Sequence, residues 1–250
     1  SAHFKEQTEQ LSLEEKRQRA IRSDEKNLRQ AFLQDLVGRR NKEVLTQPLD
    51  RINREFHYHF EPGEFSIAIL KLDGRVCDEE KNVRFMAEKV QAAAGKLLNG
   101  YVMETELTEL NGFHFFLLNY DPDDRMQIRR QMKALLSEIR VQGDILKNLA
   151  VTMALGEGVR RLSEIGISLK NARLLIEERL LGGTGKLMEG SIESGESFAD
   201  SEIFAKFNDR ISHTLESLDS FAVREELIYL KRKMLAAKEI SGHEILQMTK

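Results

Sequence analysis

Between the runs LTEL and FHFFLLNY stands a single dipeptide, Asn111-Gly112. Asn-Gly between apolar runs is the strongest short-range hairpin signal, because both residues tolerate the positive φ that a two-residue turn demands. It predicts two antiparallel strands, near 100–108 and 113–119, and so excludes an all-helical chain. Such a turn often carries reactive side chains, yet here Phe113, His114 and Phe115 follow it.

The hairpin lies inside an alternation of strand and helix signals. EPGEFSIAILKLDG sets a β-branched apolar run between two turns and predicts a buried strand over Phe65–Leu72. A helix is expected near 78–98, another near 123–142, a strand over Leu149–Leu155 and a helix over about Leu169–Leu181. The order β-α-β-β-α-β plus a final helix predicts an α+β fold, a ferredoxin-like sheet with helices packed on one face. Phe4 to about Arg40 holds no proline and one glycine, with a thin apolar stripe that predicts a long helix. Phe4 and Leu11, and again Ile21 and Leu28, lie seven apart, a candidate coiled-coil seam. Residues 42–56 read as a second helix. After the polar stretch SIESGES the pattern is helical alone: Ile203, Phe207, Ile211 and Leu215, then Phe221, Leu227, Leu230 and Met234. The expected parts are a helical linker over 1–40, a sheet domain over 41–190 and a second helical linker over 191–250.

Charge narrows the function classes. With 32% charged residues and a net charge of −3, the chain offers no basic face for a phosphate backbone, so direct nucleic-acid contact is not expected. Cys77 is the only cysteine, which excludes an internal disulfide framework and a cysteine zinc site and fits a reducing, cytoplasmic setting. No apolar run approaches the roughly 20 residues of a membrane-spanning helix, so no membrane contact is expected.

Four stretches invite chemistry, and each has a plainer reading. GGTGK at 182–186 lacks the first glycine of a phosphate loop, where Leu180 stands, and the following Ser or Thr, where Leu187 stands. A helix cap and turn account for its glycines. His57 and His59 would share one face of a strand and could ligate a metal, but no third ligand is evident. The acidic DPDD at 121–124 precedes a helix, where Asp side chains cap. Cys77 has no neighbouring base at a recognisable spacing.

The strand ending in LD, the helix and the NGFHF hairpin together resemble the GGDEF family of nucleotide cyclases. Asn111, Gly112, Phe113, His114 and Phe115 fall on the five positions of that motif, and only Gly112 and Phe115 match. Nucleotidyl transfer of that kind needs carboxylates to hold two divalent ions. Phe113 and His114 stand in their place, and the first-strand metal aspartate falls on Lys71, with Asp73 two residues on. A degenerate, non-enzymatic domain without cofactor or metal follows. Phe113, Phe115 and Phe116 are expected to fill or cover the old pocket. A surviving effector pocket would be lined by Lys71, Asp73, Asn111 and His114.

A wider resemblance covers almost the whole chain. LRQAFLQDLVGRR, FSIAILKLDG and VTMALGEGVRRLSEIGISLKNARLLIEERLLGGTGKL look like the central region of AraC-family two-component response regulators, with Ser168, Ala172, Arg179 and Gly182 on the family's Ser-x-x-x-Ala helix. The resemblance implies a signal-relay and dimerisation region between a phosphorylatable receiver and a DNA-binding domain of the same polypeptide. It implies a parallel homodimer through residues 4–37, with Phe4, Leu11, Ile21 and Leu28 in the seam. The closing SGHEILQMTK resembles the lead-in to two helix-turn-helix units. Ile245, Leu246 and Met248 have nothing following them to pack against, so a continuation on the order of 100 residues is expected. The alternative is a small-molecule or nucleotide sensing domain on a degenerate cyclase fold.

Overall fold

A computed structural model describes residues 2–38, 43–73, 80–145, 150–191, 202–216, 220–236 and 241–248. Helix α1 (Ala2–Gly38) leads to α2 (Leu49–Phe56) and strand β1 (Glu64–Asp73). Then come α3 (Glu80–Leu98), β2 (Glu104–Leu110), β3 (Phe113–Tyr120), α4 (Arg125–Ile145) and β4 (Ala150–Leu155). Helices α5 (Ile165–Glu177) and α6 (Arg179–Gly182), strand β5 (Leu187–Glu189), and helices α7 (Glu202–Glu216), α8 (Ser220–Ala236) and α9 (Gly242–Met248) complete the order. The fold class is α+β. The five strands form one mixed sheet in the order β2-β3-β1-β4-β5. β1 runs antiparallel to both β3 and β4, and β5 joins β4 in parallel.

Helices cover both faces of this sheet, not one. Phe65, Ile67 and Ile69 of β1 enter a core closed by Phe32, Leu33 and Val37 of α1, Ile52 of α2, and Leu169 and Ala172 of α5. Ala68, Leu70 and Leu72 point the other way, into a core closed by Met86 and Val90 of α3 and Ile128 and Met132 of α4. The reason lies in the strand composition. FSIAIL and FHFFLL place apolar residues at consecutive positions, as a strand buried on both sides requires, where one-sided burial would alternate them with polar groups.

Several boundaries move for local reasons. The helix expected over 42–56 is broken by Pro48 into a 3-10 turn, Val44–Thr46, and α2, since the residue before proline leaves the helical region. β2 begins at Glu104, later than expected, because Gly100 at φ 85° ends the preceding helix in a turn. Helix α5 begins four residues early, at Ile165, after the turn Leu162–Glu164. Strand β5 was not anticipated at all. Asp121 does cap the turn before α4, its Oδ1 accepting from the Asp123 N–H at 2.9 Å. Cys77 lies outside the described residues.

The last turns of α1 pack on the domain. Its 37 residues make a rod of roughly 55 Å at 1.5 Å per residue. Phe32, Leu33, Leu36 and Val37 are buried, whereas Ile21 and Leu28 are 48% and 42% exposed. At the other end α7 and α8 pair with each other, with Arg210 3.8 Å from Glu226 and 4.7 Å over the Tyr229 ring. α9 turns back onto α5 and α6. Ile245 and Leu246 are half-buried, with the preceding helices α5 and α6 beside them. Among the described residues no helix is long and apolar enough to cross a membrane.

Gly156 follows β4 where α5 crosses β1. A Cβ there would lie 2.3 Å from the Ser168 carbonyl oxygen and 3.0 Å from that of Ile67. Both are backbone atoms and cannot move aside cheaply. Replacing Gly156 by Ala should lower the unfolding free energy by about 1–3 kcal/mol, as overpacking does, with urea denaturation as the measurement.

Candidate functional site

The hairpin is built as its dipeptide predicts. Asn111 and Gly112 have φ of 54° and 73°, the pairing runs Leu110 to Phe113, and the Gly112 N–H donates to Glu109 Oε1 at 2.7 Å. The four pocket candidates do not share a pocket. Lys71 lies opposite Phe113 in the ladder, and His114 lies opposite Leu70, so Lys71 and Asp73 face α5 while His114 faces α3 and α4. Asn111 stays in the turn. Phe113 and Phe115 are on the α5 side and Phe116 is on the other, so only two of the three rings could cover a cleft there.

On the α5 side the hairpin mouth is occupied by the chain's own groups. Lys71 Nζ donates to the Gly112 carbonyl at 3.2 Å and sits 4.5 Å from the centre of the Phe113 ring. Arg179 reaches back from α6 to Asp73 at 3.0 Å and lies 5.8 Å over the same ring. Asp73 is thus committed to a guanidinium. His57 and His59 are not on a strand: His57 caps α2 in the left-handed region, and Tyr58, which follows, is buried. Among the described residues no cluster of three or more His, Cys, Asp or Glu could hold a metal ion.

Where the chain does bring distant groups together is along α5. Ser168 Oγ accepts the Ile67 N–H at 2.9 Å and Ala172 is fully buried, so the Ser-x-x-x-Ala pair seats the helix on the central strand. Five residues past Ser168, Arg173 donates to the Val37 carbonyl at the end of α1, 2.7 Å away. One turn further, Glu177 Oε2 meets His243 Nδ1 at 2.6 Å, and Glu178 Oε1 accepts the Gly242 N–H at 2.7 Å. A Cβ on Gly242 would stand 2.1 Å from the Glu177 carbonyl oxygen, so α9 can approach this closely only with glycine there. One helix thus touches both the first and the last described helix.

A second clasp holds α1. Arg29 donates to Glu106 and Glu104 at 2.7 Å each and to the Thr105 carbonyl at 3.0 Å, with its guanidinium 4.6 Å over the Tyr58 ring. The Tyr58 hydroxyl returns a bond to the Arg29 carbonyl at 2.8 Å. Burial works against the Arg29 charge, but the two carboxylates outweigh it and hold the guanidinium more firmly protonated than usual. Burial also pushes the Glu106 carboxyl up, against the pull of Arg29, so desolvation takes back part of the attraction.

Arg29, Arg173 and Glu177 were not singled out from the sequence. Arg29 meets its carboxylates across 75 and 77 residues, a separation that leaves no local pattern. Comparison with family models, with curated proteins and with solved structures finds no match to this chain.

His114 is 3% exposed. Burial pushes its imidazole below the ordinary 6.5, with Glu109 opposing and Lys71 adding to the shift. A depressed folded value means that the unfolded chain takes up the proton first. The stability that this neutral histidine allows is complete above 6.5 and is lost as pH falls through the lower folded value. In His114→Leu the unfolding free energy should therefore fall less than in the wild type between about pH 7 and pH 5, read by denaturant titration at each pH.

Proposed function

We propose that this chain is a non-enzymatic signal-relay and dimerisation region of a two-component transcriptional regulator, of the kind that couples a receiver to an AraC-type helix-turn-helix domain in the cytoplasm. The strand order β2-β3-β1-β4, with its two interleaved β-α-β units, supports a ferredoxin-like reading of the sheet. The NGFHF hairpin supports the narrower reading as a degenerate GGDEF-like domain. The absence of catalysis rests on particular side chains. Lys71 stands at the first-strand metal position, Asp73 is held by Arg179, and Phe113 and His114 replace the motif's carboxylates.

The observation that carries the relay reading is the span of α5. Within six residues, Arg173 to the capping Glu178, α5 and its end bind the Val37 carbonyl of α1 and the first residues of α9. A displacement of α1 is therefore felt at α9 through one rigid element seated on β1, which is the kind of two-sided contact that helix shifts exploit. The dimer seam is shorter than residues 4–37. Phe32, Leu33, Leu36 and Val37 already belong to the domain core, so the proposed pairing draws on residues 4–28, where Ile21 and Leu28 are exposed.

Analytical ultracentrifugation should find a dimer for the wild-type chain and a monomer for the Ile21→Glu, Leu28→Glu double variant; a monomeric wild type overturns the dimer. Coupling is read separately. Arg173→Ala should raise amide exchange in residues 241–248 by about threefold or more, although it touches none of them. Exchange there that stays at the wild-type rate overturns the relay.

A further inference from the structure

The hairpin end of the sheet is filled, but the opposite end is open. β3, β4 and β5 all run in one direction, and their last residues, Tyr120, Leu155 and Glu189, border a cleft of about 550 Å³. That volume lies within the range of about 300–1,000 Å³ typical of small-molecule sites.

The walls of the cleft differ in charge. One is the first turns of α4, which present Arg125, Met126 and Arg129; the other is the loop Gly156-Glu157-Gly158. Arg129 is spoken for by Glu189, its Nε donating to Oε1 at 2.7 Å. Arg125 is exposed and makes no hydrogen bond or ion pair among the described residues. Across the cleft, the exposed carboxylate of Glu157 is likewise free of ion pairs there. Beneath Gly158 lies a second negative group: a Cβ on that glycine would meet Glu64 Oε2 at 2.5 Å, a buried oxygen beside the Tyr120 hydroxyl. Met126, 57% exposed, and the half-buried Leu155 supply apolar surface.

From this arrangement we infer that the cleft is a binding site for a small zwitterion with an apolar body, such as a free apolar α-amino acid. Arg125 receives the carboxylate, Glu157 receives the ammonium with Glu64 adding to the field behind it, and Met126 and Leu155 cover the side chain. A simple anion would meet the two glutamates, and a simple cation would meet Arg125. Only a molecule carrying both charges pairs both free groups.

The site is also wired to α5. Buried Asn171 accepts the Glu157 N–H at 3.0 Å and donates to the Gly190 carbonyl at 3.0 Å, so one α5 side chain holds both rims of the cleft, two residues before Arg173. What a bound molecule does to α9 rests on the relay reading; whether it binds does not.

Calorimetric titration of the chain with leucine, isoleucine, valine, methionine and phenylalanine tests the site directly. At least one should bind saturably below about 10 mM. Removing its amine or its carboxylate, as in 4-methylpentanoate and 3-methylbutylamine for leucine, should weaken binding by about tenfold or more. Arg125→Gln and Glu157→Gln, both at exposed positions, should each weaken the amino acid by a similar factor while leaving the thermal midpoint of the empty chain unchanged. The inference is overturned if none of the five binds, if the one-charge analogues bind as well as the parent, or if either variant binds it unchanged. Amide exchange in residues 241–248 with the amino acid bound then reports on the relay alone.

Discussion

Burial of β1 on both faces is the constraint on which the other elements depend. A ten-residue strand with apolar side chains on each side needs two covering layers, and the chain provides them from opposite directions. The crossover helices α3 and α4 come from within the alternation of strands. α1, α2 and α5 come from its two ends. α1 and α2 from before the alternation and α5 from after it are therefore brought onto one face because the strand there would otherwise face water, at a cost of roughly 1.5–3 kcal/mol for each large apolar side chain left exposed.

Polar contacts then choose among the packings that burial permits. Ser168 meets the Ile67 N–H, Arg29 spans two carboxylates and a ring, and Arg173 meets a carbonyl at the end of α1. Each joins elements far apart in sequence, and each involves a group that would be costly to leave unpaired. Apolar surface brings the helices to the sheet, and these bonds set their angle and register. The hairpin followed a different course. Its backbone is that of a tight Asn-Gly turn, and Lys71, Arg179 and two phenylalanines occupy the space around it on the α5 side.

Much of this was legible in the sequence, and the misses share a cause. The Asn111-Gly112 turn specifies how β2 meets β3, because a two-residue loop leaves one pairing. Nothing local specifies how β3 meets β1, and that register decides that His114 and Lys71 part company. FSIAIL announced a buried strand, and the consecutive apolar residues Ile67 to Leu70 already carried the sign of burial on both faces. Pro48 likewise marked a break within 42–56. Strand β5 has three residues and is a strand only because β4 lies beside it, so no run of its own could reveal it. The candidate cleft was invisible for the same reason: Arg125, Glu157 and Glu189 are ordinary surface charges until three strand ends converge.

Gly242 touches α5 with no room for even a methyl group between them. Water cannot enter a gap that small, and a side chain cannot flex to fill it. Such a joint has no half-open position: α9 is either seated against the Glu177 backbone or separated by at least a layer of solvent. Any separation of α9 from α5 is thereby a discrete event, its sharpness set by the missing carbon atom of a single residue.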